Sequence, residues 1–388
     1  MANYSYICGF EMGALNECYY VSGSPTIQNT YKRSGGYALR ATNLGNVSLA
    51  SVAVSTPVFR AIFGAYRFYL RVLVLPTSGA NGIASSGGVT VYLQSTGKLS
   101  LDNTNWSTEA LSIDGLFHRI CVVETGGTTT LYVDGSSWIT RAVSITAGNE
   151  VAVGIITGSA VSTDVVIDDI LIASDDNAGV DMPAGNVILL PAVSDNTDGT
   201  WTAGAGGTSL FTAVDSIPPI GDATPTDSTQ ITNVSKTGNQ DVLLNCRTYT
   251  NGGIAAADTI NAVMAICCDG EQVATGTKDG SVRVSSNPTD AGAYTFDFGD
   301  DVGALGDFPS NWKTHVGPTV SAPSVTKASS PVITIRKTVA STRATDVCFA
   351  GVYVDYRLPV STAEYMHGKE IPAGISRGVQ RGMMRMYR

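Results

Sequence analysis

The sequence predicts an all-β protein made of two β-sandwich, jelly-roll-like domains and a short basic C-terminal tail. Three observations lead there. A chain of 388 residues is too long for one ordinary core, and domains of roughly 100 to 200 residues make two the natural division. Glycine reaches 42 residues while charged residues are only 15% of the chain, and Ser, Thr, Val and Ala crowd the remainder, a composition of strands and turns. Short apolar or alternating runs, punctuated by Gly, Ser, Asn and Asp, recur along almost the whole chain, with few stretches of helical period.

The first domain is assigned to residues 1–175. Its clearest strand is Tyr66 to Leu75, which places Tyr66, Phe68, Leu70, Val72 and Val74 on one face and Arg67, Tyr69 and Arg71 on the other, as expected of a strand with one face in a core. Gly88 to Ser95, Phe117 to Glu124, Thr130 to Asp134, Val151 to Ile156 and Val165 to Ala173 repeat that character. Gly126-Gly127 and Asp134-Gly135 are hairpin-turn signals, since tight hairpins need left-handed backbone at both central positions.

The segment from Ser174 to Asn186 is polar and punctuated by Gly and Pro, which places a linker at 176–186. The second sandwich then runs over 187–359, with candidate strands at Val187 to Leu190, Asp241 to Thr248, Ala262 to Cys268, Val282 to Ser285, Val332 to Arg336 and Val347 to Arg357. Pro218, Pro219 and Pro225 suit a loop and not a central strand. Residues 360–388 form the basic tail. Arg377, Arg381 and Arg385 recur every fourth residue beside Gly374, Gly378 and Gly382, and on a helix they would make parallel stripes. Such a Gly content disfavours a helix standing alone. The tail is therefore expected either to order against a partner, another copy or an acidic protein surface, or to stay solvated.

With 24 Lys and Arg against 33 Asp and Glu, the net charge of -9 disfavours nucleic acid as a partner. No apolar run approaches the roughly 20 residues of a membrane helix, and the start, MANYSYICGF, lacks the pattern of a secretory signal. Assembly in a cytoplasm is expected. The seven cysteines show no CxxC pair and no zinc spacing, so buried thiols are expected.

Two resemblances extend this reading. Phe117-His118-Arg119-Ile120 followed by Leu131-Tyr132-Val133-Asp134-Gly135 resembles a core signature of concanavalin A-like, laminin-G-like lectin domains. Gly9-Phe10-Glu11, Ser34-Gly35-Gly36-Tyr37-Ala38-Leu39 and Val166-Ile167-Asp168-Asp169-Ile170 look like the same family's flanking strands. The second region is similar, more loosely, to β-sandwich domains of tailed-bacteriophage structural proteins, through Asp198-Gly199-Thr200-Trp201-Thr202, Val214-Asp215-Ser216-Ile217-Pro218-Pro219, Asn233-Val234-Ser235 and Gly351-Val352-Tyr353-Val354-Asp355-Tyr356. Together they imply an accessory virion part: a capsid decoration, a head or neck fibre, or a tail appendage, partnered by other virion proteins. The alternative is a carbohydrate-binding adhesin that recognises host surface polysaccharide.

Chemistry is expected to be absent. Glucanases of the lectin-like fold alternate catalytic carboxylates along one strand, whereas Glu124 and Glu150 stand alone and Glu11 and Glu17 do not read as a pair. The chain also lacks a G-x-S-x-G elbow and an H-E-x-x-H motif. No catalytic residue, cofactor or metal ligand is therefore assigned, and the chain is expected not to be an enzyme. His118 reads as the strand histidine of the fold. Asp164, Asp168, Asp169, Asp175 and Asp176 could hold calcium only if they converged, and strand alternation would send Asp168 and Asp169 to opposite faces, so a solvated turn is favoured. Trp106, Trp138 and Tyr132 are the candidates for stacking on a sugar, with core or hairpin packing as the competing reading. Arg377, Arg381, Arg385 and Arg388, with Met383 and Tyr387, are the candidates for docking on a partner. A homo-oligomer, as a trimer, is expected of such an appendage.

Overall fold

The computed structural model describes residues 4–15, 18, 20–43, 52–55, 64–145, 151–158, 162–173, 179–203, 209–215, 231–233, 240–271, 281–289, 303–304, 313–338 and 345–359. The chain is all-β and folds as β-sandwiches. Its strands are β1 (Tyr4–Cys8), β2 (Tyr20–Ser22), β3 (Thr26–Gln28), β4 (Ala38–Asn43), β5 (Val52–Ser55), β6 (Ala65–Val74), β7 (Ala80–Ser86), β8 (Val89–Gln94), β9 (Leu99–Ser100), β10 (His118–Thr125), β11 (Thr128–Val133), β12 (Ser136–Arg141), β13 (Val151–Gly158) and β14 (Thr163–Ala173), followed by β15 (Asn186–Thr197), β16 (Thr202–Ala203), β17 (Ile231–Asn233), β18 (Gln240–Cys246), β19 (Thr259–Glu271), β20 (Ser281–Asn287), β21 (Gly303–Ala304), β22 (Lys313–Ser321), β23 (Val332–Lys337) and β24 (Thr345–Arg357).

The first fourteen strands make two facing sheets. One runs β12-β11-β10-β6-β14-β4-β3, with β1 also on β14, and the other runs β2-β5-β13-β7-β8-β9. Phe68, Leu70 and Val72 of β6, Ile120 and Val122 of β10, and Leu131 of β11 meet Ile83, Val91, Leu93 and Val153 of the facing sheet in one core. Both hairpin signals are realised. Gly126 and Gly127 turn β10 into β11 at φ 57 and 84, and Asp134 and Gly135 turn β11 into β12 at φ 49 and 87, the doubly left-handed turn that matches strand twist.

The remaining strands make a third, ten-stranded array. Strand β15 joins its two halves, pairing with β24 through Asn186–Pro191 and with β18 through Ala192–Thr197, with register shifts beyond Ala192. A second core fills the space between, from Leu190, Val242, Leu244, Val263, Ala265, Val284, Ile333, Ile335, Val352 and Val354. Glycine at 317 lets β22 approach the backbone of β20 at Val284, where a side chain would collide.

The other face of this array packs on the first region. Met264, Ile266, Cys268, Phe349 and Tyr353 belong to the same apolar cluster as Tyr6, Cys8, Phe10 and Met12. The reading of β6 as a strand with one face in a core is corrected here. Arg67 and Tyr69 are as buried as Phe68, because the second region and residues 179–187 cover the face that carries them. Strand β14 is buried at every position for the same reason, as strands covered on both sides must be. No cysteine pair forms a disulfide, and six of the seven are buried, with Cys18 half-buried.

Candidate functional site

Two of the exposed large apolar side chains among the described residues, Ile113 and Leu116, lie on the loop between β9 and β10. This loop is built from its own polar groups. Asp102 accepts hydrogen bonds from the Thr104 and Asn105 backbone N–H groups at 3.0 and 2.8 Å, from Asn105 Nδ2 at 2.7 Å and from Ser100 Oγ at 2.9 Å. Partial burial works to raise the Asp102 pKa, but the donors from Asn105, Thr104 and Ser100 outweigh it and hold the carboxyl below the usual range. Asn103 sits at φ 58, a conformation asparagine tolerates. The loop is then tied down along β9 and the turn before it. Ser107 N–H donates to Leu99 O, Leu99 N–H donates to Ser107 Oγ, and Leu111 N–H donates to Gly97 O, while the Leu111 side chain is buried.

Beyond that anchor Ile113 and Leu116 stand 57% and 43% exposed on a turn closed by Asp114, which accepts from Leu116 N–H at 2.8 Å and Ser112 Oγ at 3.0 Å. The loop ends at His118, whose Nδ1 lies 2.7 Å from Asp134 and Nε2 3.2 Å from Asp114. The hydrogen bond to Asp134 is the main cause that raises the His118 pKa, against partial burial. Asp134 also accepts from Arg119 N–H at 2.7 Å, so the hairpin turn, the strand and the loop are fastened together by one carboxylate–imidazole–carboxylate bridge.

Of the candidate sugar contacts, Trp106 is half-buried on this loop, bridged to Ser100. Trp138 is the extra residue of a bulge in β12, between the pairs Leu131–Ile139 and Tyr132–Ser137, and packs partly on the first core. Strands β12 and β9 are edge strands of the two facing sheets, and Arg141 of β12 lies 3.5 Å from Asp102, so the two tryptophans share one edge of the sandwich. Tyr132 is one strand further in and donates its hydroxyl to Gly179 O at 3.2 Å. The docking candidates Arg377, Arg381, Met383, Arg385, Tyr387 and Arg388 lie outside the described residues.

The acidic run is not a solvated turn. Asp168 and Asp169 are fully buried on β14, where a register shift and a φ of 50 at Asp169 break the alternation that should have separated them. Both meet the loop before β4. Arg33 N–H donates to Asp168 at 2.8 Å, and Arg33 Nη1 and Ser34 Oγ each reach Asp169 at 2.5 Å. Burial, then the charges of Asp169 and Glu11, push the Asp168 carboxyl well up. Asp164 pairs instead with Arg40, and Asp175 and Asp176 lie outside the described residues. Among the described residues no three His, Cys, Asp or Glu side chains are placed to hold a metal ion.

Sequence reasoning missed the network that adjoins this pair. Arg67 forms a fully buried ion pair with Asp355 of β24 and donates to Pro183 O at 2.6 Å, and Asn261 of β19 donates to the same aspartate at 2.5 Å. Tyr69 Oη accepts from Gly185 N–H at 3.2 Å, and Arg33 lies 3.3 Å over the Tyr69 ring. The predicted linker is thereby held on the first region: Met182 is buried, and Asp181 pairs with Arg119. The one signal was Arg67 and Tyr69 alternating with apolar residues, which reads equally well as a wet face.

No family model and no curated protein matches the chain. Solved structures share parts of its fold. A structure titled "Cellulose induced protein, Cip1" is 17% identical over 44% of this chain and 97% of its own, with a TM-score of 0.33. Domain 4 of AbnA, a GH43 extracellular arabinanase from Geobacillus stearothermophilus, is 11% identical over 44% and 92%, with a TM-score of 0.33. Alginate lyase AlgAT5 from Polysaccharide Lyase family 7 is 15% identical over 40% and 83%, with a TM-score of 0.30. These likenesses concern fold class alone. They also correct one expectation. Carbohydrate-active enzymes stand among the similar structures, so the expectation that the chain is not an enzyme is withdrawn, although a likeness of fold assigns no activity.

Proposed function

We propose that the chain is an accessory structural protein of a bacteriophage particle, a capsid decoration or a head, neck or tail fibre component, in which the first region makes an outward contact. The observation that supports this reading is the burial of one sheet face of the first region beneath the second. That burial leaves the ordered β9–β10 loop, with Trp106, Ile113 and Leu116, as a fixed apolar contact point on a stiff body. In this proposal residues 1–175 and 187–359 are the two domains, 176–186 joins them, and 360–388 meets other virion proteins or further copies in a homo-oligomer, as a trimer. The protein then resides in the virion after assembly in the host cytoplasm. Cryo-electron microscopy of purified particles tests it: repeated density of this chain on head, neck or tail supports the reading, and particles that lack the chain refute it.

A second reading is favoured by Trp106 and Trp138 on one sandwich edge, where an indole face can stack on a sugar ring. The contact would then be to host surface polysaccharide. A glycan array with the full chain and with Trp106→Ala checks this. Signal that falls with the substitution supports it, and an array without signal removes it.

A further inference from the structure

We propose that His118 is a pH-operated catch, which holds the turn at residues 112–117 to the sandwich while its ring carries two protons and releases that turn, with Ile113 and Leu116, as pH rises. The two ring nitrogens face two carboxylates, Nδ1 2.7 Å from Asp134 and Nε2 3.2 Å from Asp114. A carboxylate accepts hydrogen bonds and donates none, so each contact needs an N–H from the ring, and only the imidazolium carries both. The neutral ring has one N–H and one lone pair. One of its two contacts then sets a lone pair against a charged oxygen.

Geometry decides which contact is lost. Asp134 is the closer carboxylate and is fixed from a second side, since its Oδ1 accepts from Arg119 N–H at 2.7 Å while Oδ2 meets the ring. The remaining N–H therefore stays on Nδ1, and the Nε2 lone pair is left facing Asp114. Partial burial works to raise the Asp114 pKa, but Leu116 N–H, Ser112 Oγ and the charge of His118 outweigh it and hold the carboxyl below its ordinary range. Two cations adjoin this cluster. Arg71 of β6 lies over the Tyr31 ring with its Nη2 3.5 Å from the place a Gly115 side chain would take, and Arg119 of β10 pairs with Asp181. Arginine keeps its charge at every pH of interest, so of the groups that touch the turn and its hairpin, His118 is the one whose ordinary range lies near neutrality.

Release is local. The carboxylate that His118 holds is also the one that closes the turn, accepting from Leu116 N–H at 2.8 Å and Ser112 Oγ at 3.0 Å, so a displaced Asp114 opens the turn as well. Deeper in the loop, Leu111 N–H donates to Gly97 O and Ser107 N–H to Leu99 O, bonds that do not involve the ring. The hydrogen bond to Asp134, against partial burial, places the ring's titration above pH 6.5. The catch is therefore complete below 6.5 and is lost as pH rises through the raised folded value. The inference deepens the proposed function and rests on it for its consequence alone: the aliphatic contact point is firm at lower pH and loose at higher pH, so attachment weakens as pH rises.

Hydrogen exchange on the full-length chain from pH 5.5 to 9, read residue by residue and corrected for the intrinsic rate at each pH, tests the catch. Neither particle nor glycan is present, so its failure is separate from failure of the proposed function. Protection of Leu116 N–H should fall about tenfold across the titration of His118, while protection of Leu111 N–H stays constant. In His118→Gln the Leu116 protection should no longer depend on pH. It should also be flat in Asp114→Asn, which keeps the histidine, because an amide offers an acceptor to the charged ring and a donor to the neutral one. Protection of Leu116 that is the same at every pH in the native chain overturns the proposal. So does a fall that persists in either variant, or one that Leu111 shares, which would be unfolding of the whole loop.

Discussion

Arg67 is fully buried on β6 and shares Asp355 with Asn261, so a single guanidinium fastens the two halves of the molecule. Burial works to lower its pKa, but the charges of Asp355 and Tyr69 outweigh it and raise the value. Removing one partner of such a pair strands the other, whereas replacing both by apolar groups is often neutral. Arg67→Met is therefore expected to lower stability by about 3–5 kcal/mol, and Arg67→Met/Asp355→Leu to recover most of it. Urea denaturation of the four proteins of the cycle reads this directly, and a double-variant loss equal to the sum of the two single losses would show that the pair does not couple. His118 makes a different prediction. Its pKa lies above the free value of 6.5 because Asp134 and Asp114 favour the charged ring. Its contribution to stability is complete below 6.5 and is lost as pH rises through the raised folded value. Thermal melts from pH 5.5 to 9 should show the native protein losing stability over that window more steeply than His118→Gln, and parallel curves would discount the bridge. The residue types at both places were visible in the sequence. Their partners were not, because Arg67 and Asp355 are separated by 288 positions and no local pattern links them.

Hairpins and bulges show what one element reveals about itself. Gly126-Gly127 and Asp134-Gly135 signalled their turns because the left-handed backbone demanded there is a local property of those residues. The bulges at Trp138 and at Asp168–Asp169 were invisible, since they depend on register against neighbouring strands. That is why an acidic run expected to be solvated proves to be buried. The β9–β10 loop combines both cases. Ile113 and Leu116 could be read as aliphatics in a polar stretch, but their exposure followed only once Leu111 was seen to take the buried position. Gly97 holds that loop, at φ 80, and a Cβ there would strike the Leu111 carbonyl. Gly97→Ala is expected to cost roughly 1–3 kcal/mol and to shift the fluorescence of nearby Trp106. An unchanged spectrum and melting temperature would mean that the loop is anchored elsewhere.

At the scale of the whole molecule, the first core runs without a break into Met264, Ile266, Phe349 and Tyr353 of the second region, and buried polar pairs cross the same boundary. The two regions are therefore expected to unfold together. Calorimetry of the full chain should give a single transition whose van't Hoff and calorimetric enthalpies agree, and two resolved transitions would show that the shared surface is too weak to couple them. The sequence by itself determined the all-β class, the hairpin turns and most of the long strands. These follow from composition, side-chain alternation and turn chemistry, all of which act within a few residues. Only the tertiary structure decided that the Arg67–Tyr69 face is buried and not wet, that Asp168 and Asp169 are enclosed, that the segment after Gly179 lies on a sheet, and that Ile113 and Leu116 stay exposed. Each of those outcomes depends on which distant surface covers which, and alternating polar and apolar residues look the same whether a face meets water or another sheet that supplies matching charges.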